Sequence, residues 1–256
     1  IRPVDIQNFF ATKTQCSESR LKKMKSILNA LFEAAIENDL CYKNPAKHST
    51  FRSTAAKHEK QVLTDEQIQI TKDFARSRMP EVIVLLETGL RRGELLGLMW
   101  SDLDEQSGTI RVQRSMALKN KRVVANPPKW NSFRTLPLSD EALRVIRAQP
   151  HDSLYIFPNE HGRPHSPYSW SQKLGRFMRD LHTAHPEVPT LTAHELRHTY
   201  GTYLRRHGVD IYTIQKLLGH KDIQITTEVY VHNEIDQLRS ALRPVYAPEA
   251  AQESAE

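Results

Sequence analysis

A change in hydrophobic periodicity divides this chain and sets its fold class. Helical spacing dominates on both sides of one window, residues 103–138, in which apolar residues alternate and Gly, Asn and Pro interrupt the runs. The window predicts a small three-stranded antiparallel sheet, with Ile110, Val123 and Leu136 marking its strands. The chain is therefore predicted to be mainly α with a small antiparallel β-sheet, an α+β fold.

Stop signals and capping patterns place the helices. Residues 1–48 are predicted to be helical up to Asn44-Pro45, because proline cannot continue a helix. The capping box Thr64-Asp65-Glu66-Gln67 begins a helix that runs to Arg78. Further helices are predicted at 81–87, 94–99, 139–149, 167–182, 192–207, 210–218 and 233–242.

The length of 256 residues suggests two domains. We predict a helical part at 1–48, a basic linker at 49–63, a second domain at 64–245 and an acidic flexible tail at 246–256. Four cations mark the linker region: Lys47, Arg52, Lys57 and Lys60. The linker is either a solvated tether or a basic strap between two domains that both touch the same duplex. Because the chain starts at Ile1 within a helical pattern, we expect it to be a fragment.

Charge points to a polyanionic partner. The formal net charge is +6, and the acids after residue 248 make the folded part more basic than the total. Two cysteines without zinc-ligand spacing exclude a disulfide framework and fit a reducing cytosol. No apolar run approaches the roughly 20 residues that span a bilayer, so no membrane partner is expected.

The predicted sheet carries an unusual excess of positive charge. No acid occurs between Glu105 and Asp140, whereas seven cations do: Arg111, Arg114, Lys119, Lys121, Arg122, Lys129 and Arg134. Such a stretch is either a solvated edge or a surface that faces an anion such as a nucleic-acid backbone. On the second interpretation, Arg114, Lys119, Lys121 and Arg122 are candidate DNA contacts, together with the four linker cations.

Lys129 stands apart from the other cations of this stretch. It follows two prolines in Pro127-Pro128-Lys129-Trp130-Asn131, which predicts a preorganised hairpin tip. A movable tip of this kind can carry a proton donor to a substrate.

The segment His194-Glu195-Leu196-Arg197-His198 has two interpretations. As HExxH it would bind zinc through two histidines one turn apart, with His220 or Glu228 as a third ligand. That interpretation leaves Arg91 and Lys129 without roles and places Arg197 where it would repel the metal. As His-x-x-Arg, the same helix presents a base and an anion clamp on one face, because residues three apart are neighbours.

The order of the motifs resembles a known family. The run TGLRRGELLGLMWSDLD at 88–104 is followed by Lys129, His194-x-x-Arg197, Leu-Gly-His220 and Tyr230. Together they resemble the tyrosine recombinases, also called the phage integrase family, over nearly the whole chain. The resemblance implies that residues 64–245 are the catalytic domain. It also implies that residues 1–48 are the later part of a helical core-binding domain whose first helices are absent here.

The resemblance implies a strand-transfer chemistry without metal or ATP. Tyr230 would attack the scissile phosphate, form a 3′-phosphotyrosyl link and expel a 5′-hydroxyl, which a partner strand later replaces. His194 would act as general base, because a tyrosine of pKa about 10 is little ionised at neutral pH. Lys129 would protonate the departing 5′ oxygen.

The remaining site residues would bind the phosphate or support those that do. Arg91 and Arg197 are planar forks suited to phosphate oxygens, and His220 would donate to a nonbridging oxygen. Glu94 is expected to orient Arg91 or Lys129, and His198 to support the site. No metal ligand and no cofactor is predicted.

The implied partner is double-stranded DNA carrying specific recombination sites. A homotetramer on DNA is expected, with the segment after Tyr230 docking in trans, and accessory DNA-bending or excision factors are further candidate partners. The expected location is the bacterial cytoplasm, on the nucleoid when DNA is bound. The motifs also leave room for a type IB topoisomerase-like enzyme and for an inactive DNA-binding module.

Overall fold

A computed structural model describes residues 1–56 and 61–219 of the chain. The chain forms two compact units, which we call the N-terminal unit (residues 1–60) and the C-terminal unit (residues 61–256). The described residues are mostly helical and include a few short antiparallel strands, which confirms the predicted fold class. None of the helices in these residues is long and apolar enough to cross a membrane.

Two helices build the N-terminal unit: α1 (Pro3–Ala11) and α2 (Glu18–Glu37). Ile6, Phe10, Leu21 and Phe32 on these helices form a small core with Ala46, which follows α2. The prediction that the helix continues to Asn44-Pro45 was wrong. The helix α2 ends at Glu37, because Asp39 takes a left-handed φ of 57°, which an α-helix cannot continue.

The first residues of the predicted linker, 49–63, pack against the N-terminal unit. The amide of Thr50 donates to Oε1 of Gln7 at 3.1 Å, and the hydroxyl of Ser53 donates to the carbonyl of Cys16 at 2.7 Å. This part of the segment is therefore held by hydrogen bonds and is not a solvated tether.

Seven helices form most of the described C-terminal unit. They are α3 (Asp65–Arg78), α4 (Glu81–Thr88), α5 (Arg92–Leu95), α6 (Asp140–Arg147), α7 (Pro167–Ala184), α8 (Ala193–Arg206) and α9 (Ile211–Leu218). The helix α3 begins at the predicted capping box: Thr64 Oγ1 accepts from the Gln67 amide, and the Gln67 side chain accepts from the Thr64 amide. The predicted short helix 94–99 is displaced, because α5 starts at Arg92 and ends at Leu95.

The helix α4 is the centre of the core. It is apolar on every side in Val82–Leu86, and it packs against α3, α6 and α8. Its one buried carboxylate, Glu81, accepts from Trp170 Nε1 at 3.3 Å and from Lys173 Nζ at 2.9 Å. The helix ends at Gly89, so the core fixes where the next residues leave it.

The strands differ from the prediction of one three-stranded sheet. The strands are β1 (Leu103–Asp104), β2 (Thr109–Val112), β3 (Ser115–Lys119), β4 (Arg122–Asn126) and β5 (Arg134–Pro137). One sheet has the order β1-β2-β5, and β3 pairs only with β4 in a separate hairpin. The strand at Val123 therefore pairs with β3, because Asn120 and Lys121 take the positive φ values of a two-residue hairpin turn.

Gly89 is expected to tolerate no side chain. It has φ 60°, and a Cβ there would lie 2.3 Å from Cδ1 of Tyr200. We expect Gly89→Ala to lower the free energy of unfolding by about 3 kcal/mol, through strain and overpacking. The matched control is Gly162→Ala, with φ 69° and open space around it, which should cost only about 1 kcal/mol. If urea unfolding showed that the two variants lose the same unfolding free energy, crowding at Gly89 would be contradicted.

Candidate active site

A buried carboxylate organises the part of the C-terminal unit where the predicted motifs meet. Glu94 is fully buried, and its Oε2 accepts the backbone amide of Arg91 at 2.9 Å, which caps α5. Its Oε1 lies 2.7 Å from Nη1 of Arg91. Arg134 approaches from β5, with Nη2 2.8 Å from Oε2 and Nη1 3.2 Å from Oε1. Arg197 approaches from α8, with Nη1 3.9 Å from Oε2. We call these four residues the Glu94 cluster.

The arginines keep Glu94 ionised. Burial is the largest single influence on its pKa and acts to raise it. The hydrogen bond and charge of Arg134, with the charges of Arg91 and Arg197, outweigh burial and hold the pKa below its ordinary value of 4.5. The cluster therefore combines one negative charge with three guanidinium groups.

The three arginines also bind the end of α9. Arg134 Nε donates to the carbonyl of Leu217 at 2.8 Å, Arg197 Nη2 donates to that of Leu218, and Arg91 Nη2 donates to that of Gly219 at 2.9 Å. A helix leaves its last carbonyls without intrahelical partners and carries partial negative charge there. Three guanidiniums therefore satisfy three consecutive carbonyls just before His220.

The three guanidiniums differ in their exposure to solvent. The side chain of Arg91 is 24% exposed, that of Arg134 8% and that of Arg197 3%. Arg197 is held from a second side, because its Nη1 donates to the carbonyl of Gly89 at 2.7 Å. An anion in solution therefore reaches the cluster most directly at Arg91.

The helix α8 carries the predicted His-x-x-Arg pair with the two side chains in different environments. His194 is exposed near the start of the helix, whereas Arg197 and His198 are buried. Glu195 caps the helix: its Oε2 accepts the amide and the hydroxyl of Thr192, each at 2.8 Å. The glutamate of the HExxH interpretation thus has a structural role. The part of the chain that the structure describes contains no group of three or more His, Cys, Asp or Glu placed to hold a metal ion.

The position predicted for Lys129 was wrong. The hairpin tip is Asn120-Lys121, and Lys129 begins a short turn, Lys129–Asn131, in the connection from β4 to β5. The cause is the left-handed φ of Trp130 and Asn131, which folds the segment into its own turn. Lys129 is exposed, with Nζ 5.4 Å from the Trp130 ring centre. The connection reaches the cluster at Ser132, whose Oγ is 3.4 Å from Arg91 Nη1.

The predicted DNA contacts fall into three groups. Five are exposed: Lys47, Arg52, Lys119, Lys121 and Arg122. Arg114 differs, because its guanidinium pairs with both carboxylate oxygens of Asp102 and donates to the Gly97 carbonyl at 3.0 Å. The third group, Lys57 and Lys60, lies outside the described residues. The predicted catalytic residues His220 and Tyr230 and the helix predicted at 233–242 also lie outside them.

Arg134 is the cluster residue that the sequence motifs do not indicate. In the sequence it is only one cation of the acid-free stretch. The alternation of β5 contains the missing signal, because Arg134 and Leu136 are two apart and so share a face, and Leu136 is buried. A buried arginine requires an acidic partner, and the sequence does not indicate that this partner is Glu94, which lies 40 residues away.

A basic cleft of about 680 Å³ opens elsewhere on the C-terminal unit. Its cations are Arg122, Arg163, Lys173 and Arg176, and His165 lines it as well. Burial, followed by the charge of Lys173, lowers the pKa of His165. Of these residues only Arg122 was predicted from the sequence.

Comparison with known proteins assigns the family. The sequence model of the Phage integrase family matches residues 55–236. A XerC-like tyrosine recombinase of Caldanaerobacter subterraneus subsp. tengcongensis is 28% identical over 91% of this chain and 67% of its own length. The transposase of transposon Tn916 from Enterococcus faecalis is 25% identical over 87% of this chain and 60% of its own.

A solved structure has the same fold. The Tn1549 transposon integrase, in complex with transposon right end DNA, matches with a TM-score of 0.81 and 24% identity, over 96% of this chain and 86% of that one. The chain belongs to the phage integrase family, the tyrosine-type site-specific recombinases. The family and enzyme class predicted from the motifs are confirmed, and the topoisomerase and zinc hydrolase interpretations are not favoured.

Glu94→Gln is expected to destabilise the protein strongly. The substitution leaves buried Arg134 and Arg197 without their carboxylate, so it should cost about 3–5 kcal/mol of unfolding free energy at pH 7. Because the folded pKa of Glu94 is lowered, its contribution is fully present above pH 4.5 and is lost as the pH falls through the folded value. Glu160→Gln, at an exposed carboxylate, is the control. The measurement is urea unfolding between pH 3 and 7. The assignment would be contradicted if Glu94→Gln, like the control, kept the wild-type dependence of the unfolding free energy on pH.

Proposed function

We propose that this recombinase cleaves and rejoins double-stranded DNA at specific sites through a 3′-phosphotyrosyl intermediate on Tyr230. The observation that carries the proposal is the meeting of Arg91 and Arg197, more than 100 residues apart in sequence, at one carboxylate and at adjacent carbonyls. Both belong to the motifs that resemble the family's catalytic set.

The arginines would stabilise the transition state. Attack by the Tyr230 oxygen adds negative charge to the oxygens around phosphorus, and guanidinium forks match that geometry. Because the protein fixes the arginines before the substrate arrives, they need little rearrangement when the charge develops. Arg91, the most exposed of the three, would receive the phosphate first.

Proton transfers complete the step. His194 would take the phenol proton as the bond from Tyr230 to phosphorus forms, and Lys129 would give a proton to the 5′ oxygen as its bond to phosphorus breaks. His220 would donate to a nonbridging oxygen, and His198 would support the site from α8. A 5′-hydroxyl of a partner strand reverses the sequence, and the phosphotyrosyl bond stores the energy of the original phosphodiester, so no ATP is required.

The DNA would extend beyond the scissile phosphate across basic surfaces of the chain. The Tn1549 integrase binds transposon end DNA, which supports a duplex as the partner here. The exposed cations Lys119, Lys121 and Arg122 and the cleft beside them would contact phosphates, which position a duplex without reading its sequence. Lys47 and Arg52 are further candidates, whereas Arg114 would have to leave Asp102.

The covalent intermediate is tested with nicked suicide duplexes in excess EDTA. Wild-type protein should form a covalent DNA adduct that denaturing gels and mass spectrometry assign to Tyr230, and Tyr230→Phe should form none. Arg197→Lys should slow cleavage by about 100- to 1,000-fold, because one ammonium cannot replace the fork. The control Arg206→Lys, on the same helix but bonded to the Leu63 carbonyl, should retain the wild-type rate. The mechanism would be refuted if Tyr230→Phe formed the adduct. It would also be refuted if wild-type protein formed the adduct without EDTA but not with it.

Assembly into a tetramer, with accessory DNA-bending or excision factors, is a further part of the proposal, as is action on the bacterial nucleoid. The segment 233–242 would dock on a neighbouring protomer, since Ile235, Leu238 and Leu242 share helical spacing. Truncation after Val231 should leave DNA binding intact while abolishing recombination, measured by gel shift and product formation. Unchanged recombination by the truncated protein would disprove docking in trans.

A further inference from the structure

In the Glu94 cluster, Arg134 is held by hydrogen bonds from all three nitrogens of its guanidinium. Its Nε donates to the Leu217 carbonyl at 2.8 Å, and both Nη atoms donate to the two oxygens of Glu94 at 2.8 and 3.2 Å. Nη1 also lies 3.3 Å from the Ser132 carbonyl. One planar group thus joins β5, α5, the end of α9 and the connection that contains Lys129.

The position of Arg91 depends on this arrangement. Arg91 is bound through Nη1 to Oε1 of Glu94, the same oxygen that receives Nη1 of Arg134. A carboxylate that accepts a two-pronged fork cannot rotate without breaking a bond. The fixed Glu94 carboxylate therefore holds Nη1 of Arg91 in place, while the Gly219 carbonyl holds Nη2.

Arg134 also shapes the end of α9. A Cβ at Gly219 would lie 3.0 Å from Nη1 of Arg134, so the backbone that precedes His220 packs directly on the guanidinium. Gly219 has φ 66° and ends the helix. A displaced Arg134 would therefore disturb both Arg91 and the path of the chain toward His220.

We infer that Arg134 is a positioning residue for strand cleavage, which orients Arg91 through Glu94 and holds the end of α9 at the phosphate site. This inference rests on the proposed function, in which Arg91 binds the scissile phosphate. A purely structural Arg134 would add stability to the fold and leave the chemistry of each folded molecule unchanged.

The ionisation of Glu94 provides a way to tell a positioning role of Arg134 from a purely structural one. The charged groups facing it in the described residues are Arg91 on its own helix, Arg134 on β5 and Arg197 on α8. Tyr200 on α8 lies near Arg134 and is uncharged, because burial raises its pKa to about 12. Removal of Arg134 takes away the strongest of the influences that keep Glu94 ionised, so burial should then raise the pKa of Glu94.

Single-turnover cleavage of a suicide duplex between pH 4 and 9 tests the inference. Arg134→Met should slow cleavage per folded molecule by about 100-fold, and because the pKa of Glu94 rises, the loss of rate caused by protonation of Glu94 should begin at a higher pH than in wild type. Arg134→Lys keeps a charge but not the fork, so it should lose rate with its acidic limb near that of wild type. The double variant Glu94→Gln with Arg134→Met removes both partners of the pair, so the part of the pH dependence that arises from Glu94 should be absent.

The control is Lys72→Met, which removes a partly buried cation paired with Glu87 and Glu141 elsewhere in the same unit. It should lose stability without any change in the pH profile or rate per folded molecule. If Arg134→Met behaves in the same way as this control, the positioning role is overturned.

A measurement that does not involve cleavage separates this inference from the proposed function. Carboxyl-carbon NMR of glutamate-labelled protein, with Glu94 assigned through Glu94→Gln, should give a higher pKa for Glu94 in Arg134→Met than in wild type. An unchanged pKa would overturn the inference. If wild type forms no adduct at Tyr230 while the pKa of Glu94 shifts as expected, the proposed function fails and the coupling of Arg134 to Glu94 stands.

Discussion

The pairing of one buried carboxylate with three arginines is the interaction on which the site depends. Three guanidiniums brought together without an anion would repel one another, since two like charges roughly 4 Å apart near a protein surface interact by about 4 kcal/mol. Glu94 offsets this repulsion and gives each arginine a direction. The carboxylate is supplied by α5, a helix of only one turn, and that helix is placed by the rigid end of α4 at Gly89.

The same interaction leaves the site with a positive potential that favours an anion. One carboxylate among three guanidiniums leaves the cluster positively charged, and the carbonyls at the end of α9 add only partial negative charge. The buried members contribute to this potential and are held firmly, whereas Arg91 remains accessible. An anion that approaches Arg91 therefore meets a field from all three arginines, while the protein bears the cost of bringing them together.

The sequence predicted those features that local rules determine. The capping box at Thr64 and the proline and glycine signals placed the described helices of the C-terminal unit within a few residues, because caps and stops act over one turn. Pairing between strands was predicted less well: β2 pairs with β5 across the intervening hairpin, a choice that depends on packing far away in sequence. The end of α2 was missed because a left-handed Asp39 leaves only a weak trace in the sequence.

The candidate site also divides into residues that local motifs predict and one that depends on a distant contact. Arg91, Glu94 and Arg197 could be named from motifs, because each motif keeps its members within a turn or two of helix. Arg134 could not be named in this way, since its carboxylate partner lies 40 residues away and on a different element. A cation on the same face of a strand as a buried residue nevertheless requires an acidic partner, and Glu94 is the carboxylate that Arg134 contacts in the described residues. Long-range ion pairs of this kind are therefore predictable as a requirement from sequence, although their partners emerge only when the chain is folded.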